Sequence, residues 1–149
     1  MEKISPEKVI EAFRFSTPIQ VRYSDIDGYM HVNNGVYFAY LEHVRALYLH
    51  QVCGWDIMET GTVVANINLD FLKPIHVFDQ PQGHVRCARL GNSSFVLEQV
   101  IMGQTEQFET AVFALAATTM VSVDMKTMKP VPIPDIYAKR IRDWDRLTQ

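Results

Sequence analysis

Residues 36–49 carry apolar side chains around too much of their circumference to form an ordinary surface helix. Seven of these side chains recur at helical spacing, and two more widen the apolar surface beyond a single stripe. The seven are Val36, Tyr37, Tyr40, Leu41, Val44, Leu47 and Tyr48, and the two are Phe38 and Leu49. Because an apolar surface has to be buried against a second layer, other elements must enclose this helix. Gly54 is the expected stop signal at its end.

Two alternating segments on either side of this helix predict β-strands. Residues 17–25 predict a first strand with Ile19, Val21 and Tyr23 on one face. Residues 62–72 alternate strictly, so their apolar and polar side chains are expected on opposite faces. The apolar set is Val63, Ala65, Ile67, Leu69 and Phe71, and the polar set is Asn66, Asn68 and Asp70.

The second half of the chain predicts three more strands. Residues 84–90 and 94–102 flank the turn at 91–93, a pattern typical of an antiparallel hairpin. Residues 108–123 are so long and so apolar that we expect a central strand, buried on both sides over part of its length. The segment 129–135 contains three prolines and is expected to be an extended linker.

A short helix is expected near each end of the chain, over residues 5–14 and around Ile136, Ile141 and Trp144. The economical arrangement of all these elements is α+β: a curved antiparallel sheet of about five strands wrapped around one long central helix, which is the hotdog fold. A helix lying on a flat sheet is the alternative. We predict a single domain over residues 1–149, with a short C-terminal extension at 130–149.

Composition excludes several classes of function. The net charge of −3 over 149 residues, without a clustered basic face, argues against nucleic acid as a partner. The longest apolar run, residues 111–117, is far short of the roughly 20 residues that a membrane span requires. Residues 1–13 lack the apolar centre of a secretory signal, and Cys53 and Cys87 lack metal-ligand spacing. We therefore expect a cytoplasmic protein with two buried free thiols.

The segment YSDIDGYMHVNNGVYFAYLEHVR, residues 23–45, joins a polar loop directly to the apolar helix. It resembles the signature of the 4-hydroxybenzoyl-CoA thioesterase-like hotdog proteins, which carry Asp-x-Asp, a glycine-containing loop and a helix with tyrosine and glutamate. The HVNN element at 31–34 is also similar to the acyl-acyl-carrier-protein thioesterases. The resemblance covers roughly residues 19–123.

The resemblance implies an enzyme that cleaves an acyl-CoA thioester to the free acid and coenzyme A. No cofactor is implied, because coenzyme A is part of the substrate. A homodimer is also implied, with the two sheets joined edge to edge, the sites at the subunit interface, and further pairing into a homotetramer. A sheet of this size with a long strand otherwise leaves exposed edges.

By this resemblance, Asp27 stands at the position of the catalytic carboxylate. A carboxylate can attack the acyl carbon directly or take a proton from an attacking water, and the residues leave both routes open. The structural alternative is that Asp27 caps a turn before Gly28.

Asp25 is expected to order the loop. Both acids fit the first ligands of a calcium loop, but the remaining required positions do not, so no metal site is expected.

His31 follows Asp27 by four residues, which is the spacing of a catalytic histidine in the acyl-carrier-protein thioesterases. Those enzymes have asparagine at the position occupied here by Tyr29, which we assign to substrate binding. We expect His31 to orient a water or the thioester, with hydrogen bonding inside the loop as the alternative. Asn33 is the expected N-cap of the helix and a substrate contact. The backbone N–H groups of the next two residues, Asn34 and Gly35, are expected to form an oxyanion hole at the helix N-terminus.

Three other residues are assigned to the substrate site. They are Tyr37, for which core packing is the alternative, and Asn66 and Asn68, for which a solvated strand face is the alternative. Glu42 and Arg45 are spaced to form an ion pair. Candidate contacts for the phosphates of coenzyme A are Lys73, Arg86, Arg89 and Lys129.

The competing hypotheses differ in what happens to the thioester. An acyl-acyl-carrier-protein thioesterase would cleave it from a protein, and a hotdog dehydratase or hydratase would leave it intact. A non-catalytic acyl-CoA-binding hotdog protein would use the loop for recognition only. A structural or interaction module would make the loop a capped turn. The retained carboxylate of Asp27 favours cleavage.

Overall fold

The computed structural model describes residues 4–148 and contains one five-stranded sheet in the order β1-β3-β4-β5-β2. All neighbouring strands are antiparallel. The strands are β1 (Phe15–Pro18), β2 (Thr60–Phe71), β3 (Gln80–Leu90), β4 (Ser94–Gln104) and β5 (Thr110–Asp124). The helices are α1 (Pro6–Ala12), α2 (Val36–Tyr48) and α3 (Asp135–Asp145).

One face of the sheet packs on one side of α2, but within a single chain the helix is not enclosed as predicted, since Phe38 is 47% exposed. Leu41, Val44 and Tyr48 of α2 are almost fully buried, in one cluster with side chains from β3, β4 and β5. Gly83 of β3 permits this close approach, because a Cβ built there would lie 2.2 Å from Val44 Cγ2. Gln99 of β4 also anchors the helix, donating to the backbone carbonyl of Leu41 at 3.0 Å.

The other face of the sheet is partly covered by α1. Val9 and Phe13 pack there against Val100, Met102 and Leu115. The middle of β5 is therefore buried on both faces, as the sequence predicted. The predicted hairpin at 91–93 is also confirmed, and both cysteines are buried free thiols.

The end of α2 confirms the predicted stop at Gly54. The helix continues through one π-helical turn, Leu49–Cys53, and Gly54 then adopts a left-handed conformation with φ 63°. Glycine reaches this region without the steric cost that a Cβ imposes. The predicted terminal helix is confirmed as α3.

Two predicted strand boundaries are wrong. The first strand is β1, which ends at Pro18, and residues Tyr23–Asp25 form a 3₁₀ turn instead. The Asp25 side chain accepts the Arg22 N–H at 3.0 Å, and this local bond replaces a ladder bond, leaving Tyr23 75% exposed. Phe108 lies in the β4–β5 turn with φ 62° and is 80% exposed, so β5 begins after it.

The predicted faces of β2 are wrong at its start, because a β-bulge interrupts the alternation. Val64 pairs with Met120 and Asn66 with Thr119, so Ala65 has no partner on β5. Directly paired residues share a face. Val64 therefore joins Ile67 on the α2 face, whereas Val63 lies on the outer face with Asn66.

Candidate active site

The segment between β1 and α2 forms a small hairpin closed by backbone hydrogen bonds. Ile26 and Val32 form an antiparallel bridge, and the Asp27 N–H donates to the His31 carbonyl at 2.9 Å. Met30 turns the chain with φ 64° and donates its N–H to the Asp27 carbonyl at 3.0 Å. Asp27 and His31, to which the resemblance assigns catalytic positions, are thus held on either side of one tight turn.

Asp27 is half-buried at the start of this turn. Its Oδ1 accepts the Tyr29 N–H at 2.9 Å, which is the turn-capping arrangement considered for it above. Among residues 4–148, Oδ2 accepts no hydrogen bond. One oxygen therefore orders the turn and the other is not used by it, so a turn-capping role and a catalytic role of Asp27 do not exclude each other.

Asp25 orders the loop, as predicted. Its Oδ2 accepts the Tyr40 hydroxyl at 2.6 Å in addition to the Arg22 N–H, and its carbonyl accepts the Asn33 N–H at 2.8 Å. Burial and this hydrogen bond to Asp25 both raise the pKa of Tyr40, so the phenol stays protonated and remains a donor. Asp25 therefore ties the loop to the first turns of α2.

The N-terminus of α2 offers fewer free N–H groups than the sequence suggested. Asn33 caps the turn that leads into α2, since its Oδ1 accepts the Gly35 N–H at 2.8 Å and its carbonyl accepts the Val36 N–H at 2.9 Å. Gly35 is thus not a free donor, because the cap has taken its N–H. The Asn34 N–H has no acceptor among the described residues. It is the remaining candidate for an oxyanion donor.

A cleft of about 180 Å³ opens beside this helix start. His31, Asn34 and Tyr37 line one side of it. The other side is the end of β2 and the residues that follow, namely Phe71, Leu72, Lys73 and Pro74. The Tyr37 ring is buried against Phe71 at a centroid distance of 5.0 Å, and burial raises the pKa of Tyr37. The structure therefore brings three of the predicted site residues together in one cleft.

The other predicted substrate contacts lie elsewhere within one chain. Asn66 and Asn68 are exposed on the outer face of β2, where Asn68 Nδ2 donates to Asn66 Oδ1 at 3.3 Å. Tyr29 is 83% exposed at the tip of the loop. Glu42 and Arg45 do not form the expected pair; within the described part of the chain, Arg45 donates instead to Gln99 Oε1 at 3.4 Å.

A second, larger cavity of about 590 Å³ lies between the C-terminal half of α2 and the start of β2. Most of its walls are apolar, contributed by Leu49, Trp55, Ile57, Val64 and Met120, among others. Sequence reasoning missed this cavity and the contribution of residues 71–74 to the cleft. The alternation of β2 was the available signal, but at this end of the strand it put Val63 instead of Val64 on the same face as Ile67.

Comparison with known proteins identifies the family. A model described as the thioesterase superfamily matches residues 29–109, more than half of the chain. The chain belongs to the thioesterase superfamily. The predicted resemblance is thereby confirmed. The activity of the chain is the hydrolysis of a thioester.

Individual thioesterases agree with this assignment. The long-chain acyl-CoA thioesterase FadM of Escherichia coli is 32% identical over 129 residues, covering 78% of this chain and 89% of FadM. A thioesterase from Thermus thermophilus, solved with coenzyme A and zinc, is 31% identical with a TM-score of 0.76, covering 91% of this chain and 98% of that one.

The hotdog fold is confirmed by a more distant superfamily structure. A mutant 4-hydroxybenzoyl-CoA thioesterase, solved with 4-hydroxybenzoyl-CoA, has a TM-score of 0.77 at 15% identity. The match covers 85% of this chain and 97% of that one.

Residues 4–148 of the present chain contain no helix long and apolar enough to cross a membrane. The same residues place no three His, Cys, Asp or Glu side chains together as a metal site.

Proposed function

We propose that this thioesterase hydrolyses acyl-CoA to a free acid and coenzyme A, with Asp27 as the nucleophile or general base. The observation that carries the proposal is that one hairpin-to-helix segment carries two groups, each with an atom that makes no hydrogen bond within the described chain. These groups are the Asp27 carboxylate with its unoccupied Oδ2, and the Asn34 N–H without an acceptor in the described chain. One is a base or nucleophile and the other is a donor for developing negative charge.

The chemistry requires little beyond these two groups, because a thiolate is a good leaving group. The thioester oxygen would accept the Asn34 N–H, where the dipole of the thirteen-residue helix α2 favours negative charge. Asp27 would then either attack the carbonyl carbon, giving an anhydride that water hydrolyses, or remove a proton from an attacking water. In both routes the C–S bond breaks and the coenzyme leaves as a thiolate. His31, which shares the cleft with Asn34, would act as an accessory polar group.

Two further features support a coenzyme A ester as the substrate. Lys73 lines the cleft beside His31 and is the best placed of the four basic residues considered for the phosphates. The relatives named for acyl-CoA substrates or solved with coenzyme A point the same way.

We also propose that the working form contains two copies of the chain. Strand β2 is twelve residues long and stands at the edge of the sheet, so one side of it has no neighbouring strand among residues 4–148. An open edge of this length is a template for pairing with another chain. Asn66 and Asn68 would then lie near the contact between copies, where the resemblance places them in a substrate site. A tetramer and a cytoplasmic location stay predictions.

The test is thiol release from a panel of short, long and aromatic acyl-CoAs, with Asp27→Asn alongside. Loss of the carboxylate should lower kcat by ~10²–10⁴ while the protein stays folded. Asp124→Asn is the matched control, since Asp124 Oδ1 also caps a turn, accepting the Lys126 N–H at 2.8 Å at the end of β5. That variant should retain full activity.

Robust turnover by folded Asp27→Asn would contradict the proposed role of this carboxylate. Binding of acyl-CoAs without any thiol release would instead favour the non-catalytic binder. Release from acyl-acyl-carrier-protein but not from acyl-CoA would favour the carrier-protein enzyme.

A further inference from the structure

His31 has an aromatic neighbour that is distant in sequence. Its ring lies 5.0 Å from that of His76, centroid to centroid, with the two planes at 87°. The contact follows from the backbone, because the Val32 N–H donates to the Ile75 carbonyl at 2.9 Å and aligns the adjacent residues 31 and 76 side by side. Such edge-to-face geometry is a favoured arrangement of aromatic rings.

His76 is itself held in place by a buried acid. Asp79 Oδ2 accepts the His76 backbone N–H at 2.8 Å and lies 3.6 Å from His76 Nδ1. The Asp79 side chain is 2% exposed, and its Oδ1 accepts the Glu106 N–H at 2.8 Å from the β4–β5 turn. The segment that carries His76 is thus fixed to the body of the sheet.

We propose that His76 is a positioning residue that holds the His31 imidazole in the cleft beside Asn34. His31 lines that cleft, whereas His76 is absent from its lining among the described residues and packs edge-to-face on the His31 ring. Without the second ring, the half-buried His31 side chain would be free to rotate toward solvent. This inference rests on the proposed function, because it gives the reason why an accessory histidine stays aimed at the thioester.

The proposal attributes the effect to the ring of His76 and not to its nitrogens. His76→Phe keeps an aromatic ring and loses the nitrogens, whereas His76→Ala removes both. The bond from the backbone N–H to Asp79 is available in either variant. The side chain of His76 is 43% exposed, so the slightly larger phenyl ring has room.

We expect His76→Ala to lower kcat about tenfold with KM unchanged, since misplacing a polar group beside the reacting thioester lowers the rate more than it weakens binding. His76→Phe should stay within about threefold of the parent kcat. A merely structural role would be seen as a fall in the urea midpoint of His76→Ala, with no selective effect on kcat. Wild-type kcat in His76→Ala, or equal losses in both variants, would overturn the proposal.

A second measurement does not depend on activity. Carbon relaxation of the His31 ring, assigned with His31→Ala, should report increased ring mobility in His76→Ala and parent-like mobility in His76→Phe. Unchanged mobility in His76→Ala would overturn the positioning role. If the parent releases no thiol from any acyl-CoA, the proposed function fails, and the relaxation data alone decide whether His76 orders His31.

Discussion

At the scale of single residues, Asp145 shows how burial and hydrogen bonding compete. Its Oδ2 accepts the Tyr48 hydroxyl and the Cys87 N–H, joining α3 to α2 and β3. Burial raises the pKa of Asp145 above its ordinary 3.8, and the two hydrogen bonds oppose that rise. The folded chain therefore keeps this proton to a higher pH than the unfolded chain, and the contribution of Asp145 to stability falls as the pH rises from about 4 through the folded pKa.

Tyr48→Phe should therefore destabilise the protein in a pH-dependent way. The change removes a donor from a buried carboxylate, which costs about 2 kcal/mol when that group is ionised. The loss should be larger at pH 7 than at pH 4.5, where a greater share of Asp145 is protonated. Urea unfolding at both pH values measures the difference. Tyr23→Phe, at a residue that is 75% exposed, is the control and should change neither value. An equal loss at both pH values would contradict the argument.

At the scale of the elements, the contact between α2 and β3 depends on one glycine. Gly83 faces Val44, whose side chain is fully buried and close-packed. Interiors packed in this way accept an added methyl group only by moving a neighbour. The height of α2 above the sheet is therefore set at this point.

Gly83→Ala should push the helix away from the sheet and lower the free energy of unfolding by about 1–3 kcal/mol. Gly28→Ala is the matched control, because a Cβ built there meets nothing within 4 Å. Chemical denaturation of the two variants gives the comparison. Equal stability of both would mean that the core accommodates the methyl group freely.

The elements also show how far sequence reasoning reaches. Periodicity predicted α2, its end at Gly54 and the β3–β4 hairpin, because these depend on local spacing and on turn residues. It failed at Ala65 and Tyr23. The bulge at Ala65 depends on pairing with β5, and the turn at Tyr23 depends on the bonds made by Asp25, so neither is visible as a periodicity.

The candidate site divides in the same way. The motif located Asp27, His31 and Asn34 on one segment, and the structure places that segment at the start of α2. The motif did not reveal that the Gly35 N–H is taken by the Asn33 side chain. Nor did it indicate His76, which meets His31 only because of the backbone bond between Val32 and Ile75.

At the scale of the whole molecule, the open edge of β2 provides a direct test of the proposed pairing of two chains. Ala65→Pro should convert a dimer into a monomer, because a proline ring on an edge strand obstructs pairing with a second chain. The chain itself should tolerate the change, since Ala65 lies at a bulge, where sheets accept proline.

Sedimentation velocity at micromolar concentration measures the outcome. Ala65→Ser, which keeps the N–H, should remain a dimer. A parent protein that sediments as a monomer would contradict the proposed dimer. A dimeric Ala65→Pro variant would mean that the two chains meet at a surface other than the edge of β2.

The hairpin between β1 and α2 determines which substitutions in this enzyme can leave the proposed reaction centre unaltered. Its internal bonds, from Asp27 to His31 and from Asn33 to Asp25, close the segment on itself, and the bond from Val32 to Ile75 attaches it to the loop after β2. If the sheet is displaced, the two proposed reacting groups, the Asp27 carboxylate and the Asn34 N–H, therefore move together. The walls of the large cavity belong to other parts of the chain. Substitutions in those walls therefore leave the spacing between the Asp27 carboxylate and the N-terminus of α2 unchanged.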